Sequence, residues 1–160
     1  MSQLVDRGRT VADGATEPTR ARPVLLATLG VRVDPAAERM ALESAAEAQV
    51  KLVLANVSMM PPYPATMMLA REYATLPHEE DLDAVRATAE RASRLGVSTE
   101  LLRVTSRRPV KAVLELASDY DAGLLVFGPD VRSVGRLRFR AAARAVRRGA
   151  SCLVWIAPDG

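Results

Sequence analysis

Seven arginines, Arg132, Arg136, Arg138, Arg140, Arg144, Arg147 and Arg148, lie between Val131 and Pro158, and that stretch contains no acidic residue. A guanidinium presents a planar fork of donors that matches phosphate or carboxylate oxygens, so the chemistry such a cluster suggests is anion binding. If the segment is helical, Arg136, Arg140, Arg144 and Arg147 fall within one sector of about 80°, beside an apolar stripe. Arg136 and Arg138 then sit near the positive end of the helix dipole, which costs about 0.3–1 kcal/mol per charge unless an anion or a carboxylate compensates. Three readings follow. The ridge is a solvated face paired with carboxylates of the segment Glu79 to Leu95 or with a dimer mate. Alternatively, Arg132, Arg136 and Arg140 grip a nucleotide or another small phosphoanion. Nucleic acid is the weakest reading, because the ridge is short and no recognition motif accompanies it.

The same search argues against catalysis. There is no Gly-x-Ser-x-Gly elbow, no Walker lysine and no paired His or Cys set. Asp130 and Ser133 precede the arginines, but a hydroxyl and a carboxylate without a base do not make a mechanism, and Asp130 reads as a turn or cap residue. The single histidine, His78, stands before Glu79, Glu80 and Asp81, where carboxylates favour a helix start. No enzyme activity, metal or cofactor is expected.

The elements that would hold these residues are legible from runs and breaks. Gly123 to Phe127 is apolar or small without alternation, as in a strand covered on both faces, and Gly128-Pro129 takes the chain out of the sheet. Ligands of open parallel sheets bind beyond the carboxyl ends of strands, so the loop Gly128 to Gly135 is the first place to look for a site. Pro23 to Leu29 reads as a first strand ended by Gly30. Asp34 and Pro35 open a helix to Ala48, whose packing face is expected to carry Ala37, Met40, Ala41, Ser44 and Ala48. Val50 to Val57 is a second strand. Met59 to Met68, with three prolines in four residues, is a non-helical insert suited to packing on its own domain or to a lid or partner surface; a short helical piece at Leu69 to Thr75 follows. A helix from His78 buries Leu82, Val85, Ala89 and Ala92 and stops at Gly96. Val97 to Thr105 is a third strand, and Pro109 starts a helix with Val110, Val113, Leu114 and Ala117 on one face. Phe139, Ala142, Ala143 and Val146 repeat that spacing up to Gly149, and Cys152 to Ala157 closes the sheet. Five strands alternating with four main helices imply an α/β, doubly wound, mostly parallel sheet with helices on both faces.

The chain of 160 residues fits one domain at 23–160, preceded by a flexible tail at 1–22 that mixes charges without a hydrophobic period. Its net charge of +3 is unevenly placed: residues 1–130 carry 15 basic and 18 acidic groups, and residues 131–160 carry seven arginines against Asp159. The lone Cys152 suggests a buried thiol in a reducing cytoplasm, and no apolar window approaches a membrane span or a signal peptide. The closing strand, with Trp155, is apolar enough that an edge position would call for a homodimer.

The segment Arg108-Pro-Val-Lys-Ala-Val-Leu-Glu-Leu-Ala-Ser-Asp-Tyr-Asp-Ala-Gly-Leu-Leu-Val-Phe-Gly128 resembles the signature of the universal stress protein family, and the likeness extends over Pro23 to Pro158. It implies the strand order 3-2-1-4-5, dimers joined through the last strand and, in many members, ATP held between strands one and four. Nucleotide-binding members carry an Asp then a Gly at the end of strand one, and a loop Gly-x2-Gly-x9-Gly-(Ser/Thr). Bare backbone amides there approach the phosphates and a hydroxyl adds a donor. Residue by residue, Leu29 replaces the Asp and Gly30 remains; Val57 fits the position whose backbone meets adenine; Gly128 remains, and Val131 replaces the second loop glycine. Ala141-Ala142, or Phe139-Arg140 on the alternative count, replace Gly-(Ser/Thr). ATP in the usual mode is therefore disfavoured. The expected protein is a dimeric stress-response or interaction protein. The alternative is a phosphate-ligand sensor using Gly30, Val57, Gly128, Asp130, Arg132, Ser133, Arg136 and Arg140.

Overall fold

The computed structural model describes residues 21–60 and 79–157. The five apolar runs form β1 (Val24–Thr28), β2 (Leu52–Met59), β3 (Thr99–Ser106), β4 (Leu124–Phe127) and β5 (Leu153–Ile156), in the order β3-β2-β1-β4-β5. Every pairing is parallel. β1 is central: Leu26 lies in register with Leu54 on one side and Val126 on the other, and all five residues of the strand are buried. This is why its sequence does not alternate. β3, at one edge, alternates half-buried and exposed residues along most of its length, as a strand with one covered face must.

Helices α1 (Pro35–Ala48) and α2 (Glu79–Arg94) pack on one face of the sheet; α3 (Pro109–Asp119) and α5 (Arg136–Gly149) pack on the other. Between β4 and α5 lies one short turn of helix, α4 (Val131–Val134), where the sequence suggested only loop. Asp34 caps α1 as expected, accepting from the amides of Ala36 at 2.8 Å and Ala37 at 3.3 Å. The buried face of α1 shares only Ala37 and Ala41 with the one read from sequence. It carries Ala37, Ala41, Leu42 and Ala45, whereas Ala48 is exposed and Met40 and Ser44 are only half-buried. Alanines at four-residue steps let this helix ride low on the sheet, and a Cβ built on Gly128 would lie 2.0 Å from that of Ala37. Gly128 is thus glycine for close approach and not for left-handed backbone, which Gly30, Gly96 and Gly135 adopt.

Two strand boundaries move. β2 extends to Met59 because Ser58 and Met59 still pair with Thr105 and Ser106 of β3. β3 begins at Thr99, not Val97, because the Val97 amide is taken by the Ala92 carbonyl at the end of α2. Arg22, assigned to the tail by its sequence, is anchored to Asp121 at 2.7 Å. The rest of that tail, most of the Met/Pro insert, the helical piece at 69–75 and His78 lie outside the described residues, as does the side chain of Leu82.

Candidate functional site

At the carboxyl edge of the sheet the loops after β1 and β4 are stitched together. The Asp34 amide donates to the Gly128 carbonyl and the Asp130 amide to the Arg32 carbonyl, both at 2.9 Å, and Val33 bridges Pro129. Two buried polar side chains brace the first of these loops. Thr28 donates its hydroxyl to the Val31 carbonyl at 2.8 Å, and Asn56 accepts the Gly30 amide at 2.9 Å. Sequence reasoning missed Asn56; a polar residue inside the apolar run Leu52 to Val57 was the available signal.

The loop after β4 uses nearly all of its own donors. The amide of Gly128 goes to Ala27, those of Ser133 and Val134 go to the Asp130 carbonyl, and that of Gly135 goes to Val131. The Asp130 carboxylate takes the Arg132 amide at 3.1 Å and the Ser133 hydroxyl at 3.0 Å. Asp130 is therefore the cap of α4, and Ser133 is its partner. Arg32 approaches the same carboxylate at 3.7 Å.

α4 separates two clefts. The first, of about 680 Å³, is lined by Arg32, Asp34, Asp130, Arg132 and Arg136 together with Val33, Pro35, Ala84, Val131 and Gly135. It lies on the side of α1 and α2. The second, of about 600 Å³, opens between the ends of β1 and β2, the first turn of α3, and α4 and α5. Its walls are Leu29, Val31, Met59, Pro109, Val110, Val134, Ala141, Ala142 and Ala145; its polar groups are Arg108, Lys111, Ser133 and Arg138. A third depression, of about 560 Å³, runs along α5 beside β5 and takes Arg140, Arg144, Arg147 and Arg148 with Phe139 and Ile156.

The residues singled out in the sequence are thus dispersed. Asp130, Arg132 and Arg136 meet in the first cleft, Ser133 faces the second, and Arg140 belongs to the third. The expected triad Arg132, Arg136 and Arg140 does not converge, because α5 carries Arg140 round to the β5 side; Arg32, from the loop after β1, takes its place. Gly30 has a positive φ and packs a Cβ-width from Ser58, and Val57 is fully buried, so both shape the edge without lining any of these three clefts. Gly128 is closed against Ala37 and has both its amide and its carbonyl engaged. The pairing expected between the arginine ridge and the segment Glu79 to Leu95 falls partly outside the described residues, as the side chains of Glu79, Glu80 and Asp81 do. Arg136, Arg144, Arg147 and Arg148 make no salt bridge among the described residues.

The amino edge is different in kind. Glu100 accepts from Lys51 and, at 2.6 Å, from the Tyr120 hydroxyl. The bond from Lys51, and secondly that from Tyr120, hold the Glu100 carboxyl below the usual carboxylate range, and the same Glu100 contact raises the Tyr120 phenol. No group of three or more His, Cys, Asp or Glu that could hold a metal ion occurs among the described residues.

The model of the family described as "Universal stress protein family" matches residues 20–158. The chain belongs to the universal stress protein family. Solved structures agree on the fold. A universal stress protein family member from Burkholderia pseudomallei is 23% identical, with a TM-score of 0.62 over 89% of this chain and 100% of that one. A universal stress protein in complex with cAMP is 24% identical, with a TM-score of 0.61 over 88% and 99%. The Archaeoglobus fulgidus universal stress protein in complex with dAMP is 21% identical, with a TM-score of 0.54 over 84% and 96%. Among curated proteins none matches significantly. No described helix of this universal stress protein is long and apolar enough to cross a membrane.

Proposed function

We propose that this universal stress protein is a cytoplasmic, non-catalytic homodimer that works through its surface and does not hold ATP on the loop after β4. One observation carries the reading: the amides of Gly128, Asp130, Arg132, Ser133, Val134 and Gly135 all donate within the chain, so phosphate oxygens would have to displace bonds already made. Leu29 in the cleft wall supports it, since that residue offers a ribose no acceptor, and so do Ala141 and Ala142, which bring methyls where a hydroxyl would be needed. Relatives solved with cAMP and dAMP make nucleotides the ligands to test first. Thermal shift of the full chain with Mg-ATP, AMP and cAMP, at low and high salt, should give no salt-resistant stabilisation. A salt-resistant, saturable rise in Tm with any of them would overturn the reading.

The dimer rests on β5. Among the described residues it pairs only with β4, and Leu153 is 74% exposed on it with Val154, Trp155 and Ile156 half-buried. Sedimentation at micromolar concentration should give twice the 17.2 kDa chain mass; a monomer would count against it. A phosphate-bearing ligand remains the second reading, favoured by Arg32, Arg132 and Arg136 in one cleft. Its signature is a shift with AMP or phosphate that salt suppresses and Arg136→Ala abolishes.

A further inference from the structure

The cleft between β1, α3 and α5 combines two properties. Its floor and walls are nine apolar side chains, including Leu29, Met59 and Val110, and its rim carries Arg108, Lys111 and Arg138, with no acidic residue lining it among the described residues. Lys111 shares its charge with Glu115 at 3.1 Å, whereas Arg108 and Arg138 have no carboxylate within salt-bridge distance among the described residues. About 600 Å³ lies within the range of pockets that enclose small organic ligands, and such pockets are mostly apolar with a few polar groups to fix orientation. A nucleotide fits it poorly, since ribose hydroxyls and a triphosphate would meet alkyl walls where they need acceptors and amides.

We propose that this cleft binds a small amphipathic carboxylate, a ligand with an apolar chain or ring and one anionic head group. The apolar body lies on Leu29, Met59, Val110 and Val134 and is taken out of water. The head group sits at the rim, where Arg108 and Arg138 supply charge-assisted hydrogen bonds from two different helix starts. Ser133 is in reach of the cleft but already donates to Asp130 at 3.0 Å, so it does not recognise the head group as a donor. This ligand class rests on the reading that the loop has no phosphate cradle, and it accounts for what took the cradle's place.

The test uses the full chain, with decanoate as the probe in titration calorimetry, and with decanol, decyltrimethylammonium and acetate as controls. Decanoate should bind at a single saturable site. Decanol should bind at least tenfold more weakly, and the other two should not bind measurably. Arg138→Glu, an exposed rim position, should weaken decanoate at least tenfold and leave decanol unchanged; Ala141→Trp, exposed and at the cleft wall, should abolish both. Circular dichroism of each variant verifies that it is folded. Equal binding of decanoate and decanol, indifference to Arg138→Glu, or no decanoate binding at all would overturn the proposal. A Mg-ATP arm separates the two claims: if neither ligand binds, the carboxylate site fails and the lost cradle stands, whereas tight Mg-ATP binding refutes the cradle's loss itself.

Discussion

Two clefts flank the single helical turn α4, share one loop as their dividing wall, and differ in how their charges are answered. On the α1 side, Arg32, Arg132 and Arg136 face Asp34 and Asp130, and both carboxylates already cap helices. On the α3 side, Arg108 and Arg138 stand over alkyl walls with no carboxylate among the described residues. In the first cleft Arg32 meets Asp130 at 3.7 Å, and both carboxylates are occupied in holding the chain's shape. The second has solvated cations next to apolar surface that water covers poorly. The difference teaches that charge density alone is a weak guide to a site: the unanswered charge beside a hydrophobic wall is the more informative arrangement.

The sharpest way to break the comparison is to damage the wall the clefts share. Gly128→Ala should cost about 3 kcal/mol, the upper part of the usual range for overpacking, because the added methyl would sit 2.0 Å from the Ala37 Cβ. Both neighbours are fully buried backbone-bearing positions with nowhere to move. Urea denaturation measures it, and a loss under about 0.5 kcal/mol would mean that α1 is free to lift from β4.

Next in size is the α1-side cap. Asp34→Ala removes the acceptor for two amides and should destabilise by about 1 kcal/mol. It should also leave Arg32, Arg132 and Arg136 less compensated, so inorganic phosphate should stabilise the variant more than the wild type at low salt. A thermal shift with phosphate that is the same in both proteins would show that the carboxylate does not offset those arginines.

Leu29→Asp probes the other side. The side chain is half-buried in the cleft wall, so the loss of stability should be on the order of 1 kcal/mol, less than for full burial of a leucine. It should not restore Mg-ATP binding, because the loop amides and Ala141-Ala142 are unchanged; gain of ATP binding from this one substitution would show that the carboxylate alone had been missing.

The smallest effect belongs to the opposite edge of the sheet, where Lys51, Glu100 and Tyr120 answer one another. Glu100 has a lowered pKa, so its contribution is fully present above the ordinary carboxylate range and is lost as pH falls through the lowered value. Tyr120 has a raised pKa, so its contribution is present below the ordinary phenol value and is lost as pH rises through the raised one. The stability difference between wild type and Glu100→Gln should therefore be flat across neutral pH and shrink at both extremes, as followed by urea melts over a pH series.

Much of the scaffold was readable because burial on both faces removes alternation from β1 and β4, and because Asp34-Pro35 and Pro109 mark helix starts whatever the tertiary context. The edges of elements were less readable. β2 outran its apolar run because Ser58 and Met59 are held by cross-strand pairing with β3, which leaves no local signature. The departures from the family's loop pattern at Leu29, Val131 and Ala141-Ala142 are visible in the sequence, but how the arginines are shared out is not. Helical spacing groups Arg136 with Arg140, yet the two stand one turn apart along α5 and border different clefts, while Arg32 joins Arg136 and Arg108 joins Arg138 from segments distant in sequence. Such partners come from topology, which a linear pattern does not carry.

The most direct test of the proposed loss of the phosphate cradle is calorimetric titration of the 160-residue chain with Mg-ATP at moderate salt. Saturation should not be reached below about 1 mM, equivalent to less than roughly 4 kcal/mol of binding free energy. A single-site isotherm at micromolar Kd, unchanged when the salt is raised, would contradict it.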